Sequence, residues 1–303
     1  MEKKEWNKIV PLREKKRSIG WETVLKKALI ALGCAILAFV FLFPIVWMVS
    51  NSFKDNDTVY AQMGSLLTFL PPSWNVGEWF VSYEKLFSEF SNFGRSVLNS
   101  IVYCSVTIVM VLLINSLAGY ALARFRFPGG KMMTTIILIL MIVPVETSVV
   151  PTYLILYYLG LLTEPLNVVG YLLPGFASLM YTYMFRQFFL SMPVEIEEAA
   201  RIDGCSRVGV FFKMIVPLSA PIFATVGIFT FMGQWNEYLS AQLIMQNEQY
   251  FPLQYYLQIV NNANPRDIGM VMAALTFSTI PIALVYVFCQ KYIVEGVSFT
   301  GLK

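Results

Sequence analysis

An all-α integral membrane protein with six transmembrane helices is the fold this sequence predicts, and three observations predict it. Hydrophobic residues fill 57% of the 303 positions and Asp, Glu, Lys and Arg only 14%, against about 25% charged in soluble domains. The apolar residues gather into long uncharged runs, the pattern of membrane spans rather than of one large core. The Lys and Arg residues crowd into alternate connecting segments, as they do in multi-pass proteins.

Six runs provide the roughly 20 apolar residues that a helix needs to cross about 30 Å of hydrocarbon: 28–50, 96–122, 132–158, 165–185, 217–243 and 268–290. The first carries no charge from Ala28 to Val49 and ends in Ser50 and Asn51. It is too long for a signal-peptide core, lacks a small-residue cleavage site and reads as a retained span. The second holds Asn99 and Asn115, which read as interhelical hydrogen-bonding glue. In the third, Pro144 and Pro151 flank Glu146; prolines free backbone carbonyls and predict a kink. The fourth carries no charge, and the fifth becomes polar at Gln234, Trp235, Asn236 and Glu237. The sixth leads to the end of the chain.

Of the 22 Lys and Arg residues, 18 fall in the N-terminal segment, the 123–131 and 186–216 loops and the C-terminal tail. By the positive-inside rule these segments, and both termini, face the cytoplasm. The predicted organisation is therefore a cytoplasmic segment 1–27, a six-helix transmembrane domain 28–290 with its long inner loop at 186–216, and a cytoplasmic tail 291–303. The outer loop 50–95 is rich in Trp, Phe and Pro, too apolar for a free linker, and should pack on the membrane face or receive a partner.

Composition also excludes functions. Histidine is absent, which removes HExxH zinc sites and His-dependent nucleophile systems. A net charge of +3 gives no reason to expect nucleic acid as a partner. Cys34, Cys104 and Cys289 fall in spans and Cys205 in an inner loop, so no disulfide framework is expected. Asn56-Asp57-Thr58 matches a glycosylation acceptor, a tripeptide that polar loops carry by chance. No Gly-x-x-x-x-Gly-Lys-Ser/Thr loop is present, since Gly130-Lys131 has Phe125 where the first glycine belongs. No enzyme activity, catalytic residue or metal site is expected of this chain.

The 186–216 loop carries the most information. Ser191 is placed to cap a helix with Pro193 and Glu195 in its first turn. Ala199, Ala200 and Gly204 form a small-residue stripe flanked by Glu198, Arg201 and Asp203, suited to close backbone approach by another surface. Two readings stand: a docking helix for a protein partner, or an amphipathic connector on the membrane surface. Four acids against Arg201 alone favour the protein partner over anionic lipid.

Glu198-Ala199-Ala200, three residues, Gly204, nine residues and Met214-Ile215-Val216-Pro217 resemble the EAA loop of binding-protein-dependent ABC importers. The family's usual Ile-x-Leu-Pro is varied here at Met214 and Val216. Asn99-Ser100, the stretch from Ala118 to Phe127, Arg186-Gln187-Phe188-Phe189, Trp235-Asn236 and the stretch from Gln290 to Gly296 are similar to the carbohydrate-uptake branch. Within it the chain is most similar to the smaller six-span permeases of the maltodextrin and multiple-sugar type.

That resemblance implies several partners: a second permease subunit, two ATP-binding subunits that hold ATP and magnesium, an external solute-binding protein, a carbohydrate and membrane lipid. It implies no cofactor on this chain itself and a multi-pass location in a bacterial-type cytoplasmic membrane. Glu197, Glu198, Ala199, Ala200, Asp203, Gly204 and Pro217 would couple to the ATP-binding subunit, and the tail 291–303 would reach toward it. Glu146, Tyr153, Gln234, Trp235 and Asn236 are candidates for the translocation pathway, because sugars bind to aromatic faces and side-chain hydrogen bonds. Helix pairing for Glu146 and an interfacial anchor for Trp235 remain the competing readings. A permease for amino acids, polyamines or phosphate is the nearer alternative function, and a secondary transporter the more distant one.

Overall fold

The computed structural model describes residues 21–73 and 76–301, apart from the side chains of residues 23, 24, 76 and 292–301. Residues 1–20 of the predicted N-terminal segment, and Leu302 and Lys303 of the predicted tail, lie outside the described residues. Every described element is helical. The chain divides into two compact units, Met1–Trp47 and Met48–Lys303.

In the first unit the described residues belong to one helix, α1 (Trp21–Ser52), which begins ahead of the predicted Ala28. Its described side chains from Leu25 to Val46 are all exposed, as a helix made for an apolar environment leaves them.

The second unit opens with α2 (Asn56–Gln62) and α3 (Val81–Glu89) of the predicted outer loop, then α4 (Phe93–Arg124). There follow α5 (Gly130–Leu140), α6 (Val149–Tyr158), α7 (Asn167–Leu172) and α8 (Leu179–Ser191). The 186–216 loop supplies α9 (Glu195–Ile202), α10 (Arg207–Val210), a π-helical turn at Phe211–Ile215 and α11 (Val216–Leu218). After it come α12 (Ala220–Trp235), α13 (Leu239–Ile244), α14 (Leu253–Asn261) and α15 (Ile268–Gly301).

Among the described residues, three helices are long and apolar enough to cross a membrane: Leu25–Ser52, Phe93–Arg124 and Ile268–Lys291. The other three predicted spans are bent pairs of helices. The third breaks by 101° between Gly130–Leu140 and Val145–Tyr158. Pro144, extended at φ −60° and ψ 134°, withholds an N–H and disfavours helix in the residue before it, so the predicted kink is a complete break. The fourth bends by 40° before Leu179 and then runs on to Ser191. The fifth bends by 79° at Ser219, and its helix stops at Trp235 rather than residue 243. The sixth passes its predicted end at 290 and continues to Gly301.

Two cores hold the second unit together. One gathers Trp235, Tyr256, Phe93 and Met270; the other gathers Tyr120, Phe185, Phe189, Phe211 and Val226. Part of the outer loop packs inward on this chain, with Val59 and Leu86 buried. The ammonium of Lys54, fully buried, donates to Gln62 Oε1 at 2.8 Å, Leu67 O at 3.1 Å and Thr68 O at 2.8 Å, and burial lowers its pKa. Asn56 Oδ1 accepts the N–H of Ile268 at 2.9 Å, which ties this loop to the start of α15.

Asn115 is the polar hinge pin of the unit. Fully buried on α4, it donates to Val111 O and Phe176 O at 2.7 and 2.9 Å and accepts from Ser178 N and Thr182 Oγ1 at 2.8 and 2.9 Å. Three of these four bonds reach the bend of the fourth span, whose freed backbone groups need partners in an apolar setting. Asn115→Ala is expected to orphan them and destabilise the protein by about 1–3 kcal/mol, read as a lowered midpoint in thermal unfolding of the purified protein. Asn99, by contrast, holds the loop before α14, donating to Gln249 O and Phe251 O at 2.9 and 3.1 Å.

Candidate functional site

The Glu-Ala-Ala helix α9 is short and two-faced. Ser191 does not cap it: that residue ends α8, and its hydroxyl donates to Phe188 O. The N-cap is Val194, and Glu195, Glu197 and Glu198 fill the first turn, where carboxylates complement the positive end of the helix dipole. The helix stops at Asp203 with Gly204 in the left-handed region at φ +85°. Gly204 N–H donates to Arg201 O at 3.1 Å and Cys205 N–H to Ala200 O at 3.0 Å, the paired bonds of a Schellman C-cap.

The predicted coupling residues separate onto the two faces. Glu198, Ala199, Asp203 and Gly204 are exposed, and a Cβ added at Gly204 would meet nothing within 4 Å. Ala200 is 3% exposed and belongs to the core with Phe189 and Phe211, so it is not part of an accessible stripe. Glu197 also turns inward: Tyr120 donates its hydroxyl to Oε2 at 2.8 Å, and Arg124 Nε donates to Oε1 at 2.5 Å. Arg124 Nη2 reaches Met192 O at 2.9 Å. Pro217 lies off this helix altogether, in α11 at the 79° bend before α12.

Two exposed aliphatic residues of this loop were not singled out from sequence: Ile202 at the end of α9, 86% exposed, and Val208 on α10, 67% exposed. The three-residue step from Ala199 to Ile202 puts those two on one face of α9, a signal the sequence contained. Beside α9 lies a cavity of about 450 Å³ lined by Arg124, Arg126, Glu197, Glu198, Arg201 and Arg207, with the Arg207 guanidinium 5.6 Å from the ring centre of Phe125.

The predicted pathway residues do not all meet. Tyr153 and Gln234 line a second cavity of about 190 Å³, together with Ser148, Thr152, Tyr171 and Glu237. Gln234 donates to the Tyr171 hydroxyl at 2.9 Å, and Glu237 Oε1 accepts from Ser240 N at 2.8 Å. Trp235 is corrected to a core residue: it is 1% exposed, stacks on Phe231 and donates to Ser278 O at 3.3 Å, so it neither lines this cavity nor anchors at an interface. Asn236 caps the end of α12 through a bond to Met232 O and is exposed. Glu146 is exposed at the break of the third span, outside the cavity lining. Tyr171 and Glu237 join them in the lining; the polar stretch from Gln234 to Glu237 marked the end of α12 in the sequence, but not which of its side chains turn inward.

Described residues that are all helical, with several apolar helices, broken spans around a cavity that holds Gln234 and Glu237, and an exposed short helix in a charged loop, have the build of a membrane permease. The chain belongs to the binding-protein-dependent transport system inner membrane component family, whose sequence profile matches residues 115–299; this is a transport component and not an enzyme. It is 31% identical to the probable ABC transporter permease protein YurM of Bacillus subtilis, covering 89% of this chain and 88% of that one. It is 29% identical to the arabinooligosaccharides transport system permease protein AraQ of Halalkalibacterium halodurans, covering 91% and 96%. The fold is also similar to a chain of a bacterial ABC transporter involved in the import of the acidic polysaccharide alginate, with a TM-score of 0.77 and 27% identity over 90% of this chain and 98% of that one.

Proposed function

We propose that this chain is the six-span permease of an importer for a sugar or oligosaccharide, working with a second permease, two ATP-binding subunits and an external solute-binding protein. The observation that carries the reading is the open face of α9, where Ala199, Ile202, Asp203 and Gly204 stand exposed in the Glu-Ala-Ala spacing. An ATP-binding subunit seated there buries Ile202 and meets Glu198 at its rim. ATP and magnesium belong to that subunit, and this chain binds no cofactor.

In this arrangement each bent pair is one span, both termini lie in the cytoplasm, and the segments 1–27 and 291–303 flank the permease domain 28–290. Closure of the ATP-binding subunits displaces α9 and tilts the broken spans as rigid bodies. The relatives that transport arabinooligosaccharides support a carbohydrate as substrate. So does the cavity of Tyr153, Tyr171, Gln234 and Glu237, which offers aromatic faces and hydrogen bonds and has no Lys or Arg among its lining residues. Glu146, at the rim of the break, and Asn236 remain part of the proposed path.

Copurification tests the assembly. The tagged chain, extracted from its own membranes, is expected to bring with it a second permease and an ATP-binding subunit identifiable by mass spectrometry. A chain that purifies alone would remove the reading.

A further inference from the structure

From the inward face of α9 we infer that Glu197 and Arg124 form a tension-bearing tie through which α9 pulls on α4, separate from the outward face that docks. The inference rests on the reading of α9 as the helix moved by an ATP-binding subunit. Sequence places Glu197 and Glu198 side by side as coupling residues, yet their environments differ. Glu198 is exposed, whereas the Glu197 carboxylate and Arg124 guanidinium are only 12% and 9% exposed.

Holding α9 against α4 does not require an ion pair. Ala200, Tyr120, Phe189, Phe211 and Val210 already form an apolar core between the two, and a buried pair loses in desolvation much of what it gains by attraction. What the pair adds is direction. Apolar packing is strong in sum but not directional, so by itself it does little to fix the orientation of α9 on α4. A charge-assisted hydrogen bond at 2.5 Å, braced by Tyr120 on the second oxygen and by Arg124 on Met192 O, resists separation and fixes orientation. Both partners of Glu197 sit in the last turns of α4, and Met192 directly follows α8, so one displacement of α9 engages the ends of two helices.

The line continues along α4. Asn115, on the same helix, holds Phe176 O, Ser178 N and Thr182 Oγ1 at the bend of the fourth span, next to Gly175 of the cavity wall. Farther along, Thr107 Oγ1 lies 3.4 Å from Gln234 Oε1, also on that wall. One rigid helix therefore connects the tie to two sides of the cavity.

The test uses the assembled importer in nanodiscs, with the four native cysteines replaced by serine and one cysteine introduced at Thr152 in the cavity wall. Three quantities are measured: the ATP-binding subunit retained on purification, ATP hydrolysis, and the change in maleimide labelling rate at residue 152 when ATP and magnesium are added. Glu197→Met together with Arg124→Met removes both charges at once and keeps the packing, so folding and docking should persist. The expected result is normal subunit retention and continued ATP hydrolysis, with the ATP-dependent change in labelling reduced at least ten-fold. Arg124→Lys, which keeps a cation, should recover part of it. A double variant that labels as the parent does would overturn the tie and leave the pair a purely structural one. A parent complex that retains no ATP-binding subunit would instead bring down the reading of α9 itself, and the tie with it.

Discussion

Gly204→Asp is expected to reduce transport to background while the chain still inserts and assembles with its partner permease. Two independent physical effects act at this position. The backbone of Gly204 is left-handed, φ +85°, a conformation that costs an L-residue with a Cβ roughly 1–2 kcal/mol, so the Schellman bonds that end α9 weaken. Aspartate tolerates that region better than most residues, which makes the second effect the larger one. Gly204 is exposed beside Ala199 and Ile202, and a carboxylate there would be forced into a dehydrated contact when an ATP-binding subunit seats. Burial of an unpaired charge of this kind costs several kcal/mol, enough to abolish docking.

The companion variant Gly204→Ala separates the two effects. Nothing lies within 4 Å of its added Cβ inside this chain, so Ala carries the conformational cost without the charge and should leave measurable, reduced transport. The measurement is uptake by cells together with the ATP-binding subunit retained on the purified chain. Retention in the aspartate variant equal to that of the parent would remove Gly204 from the docking face.

The sequence revealed the class of this molecule because a membrane imposes two constraints that composition records directly. Apolar runs long enough to span are visible from Ala28 to Val49 as over 96–122, and α1 and α4 emerged with little change. Where backbone breaks inside an apolar run, hydropathy is blind. Pro144 marked one break, but the step after Phe176 lies inside an uncharged run, and its freed backbone groups are satisfied by Asn115 from a helix distant in sequence.

The site was legible to a similar depth. The spacing of Glu198, Ala199, Ala200 and Gly204 located the helix and its end. Which of its residues face outward depends on what packs beneath: Glu197 is held by Tyr120 and Arg124, more than 70 residues away in the chain, and Ala200 packs in the core with Phe211. Trp235 misled for the same reason: an amphipathic ring at the end of a span fits an interface, a sugar site or a core equally well, and the Ser278 carbonyl that accepts its N–H lies on another helix.

Gly119→Val should strongly destabilise the membrane domain. At Gly119 the helices α4 and α8 touch backbone to backbone. An added Cβ would stand 2.7 Å from Phe185 Cβ and 2.9 Å from both Arg186 N and Thr182 O. None of these is the end of a flexible side chain, so the helices must separate instead of a rotamer yielding. Small residues permit such approaches where association in lipid depends on close packing, and overpacking a well-filled site costs about 1–3 kcal/mol. Here the cost lies at or above the upper end, because separating α4 from α8 also stretches the Asn115 bonds to Ser178 and Thr182 one turn away. Valine adds a χ1 constraint of its own in a helix. Gly233→Ala is the matched control, since a Cβ there meets nothing within 4 Å and alanine favours helix by about 1 kcal/mol. Thermal unfolding of the purified protein, followed by the fraction that stays monodisperse, should show a large loss for Gly119→Val and none for Gly233→Ala. Equal behaviour of the two would mean that α4 and α8 do not make this contact in the membrane.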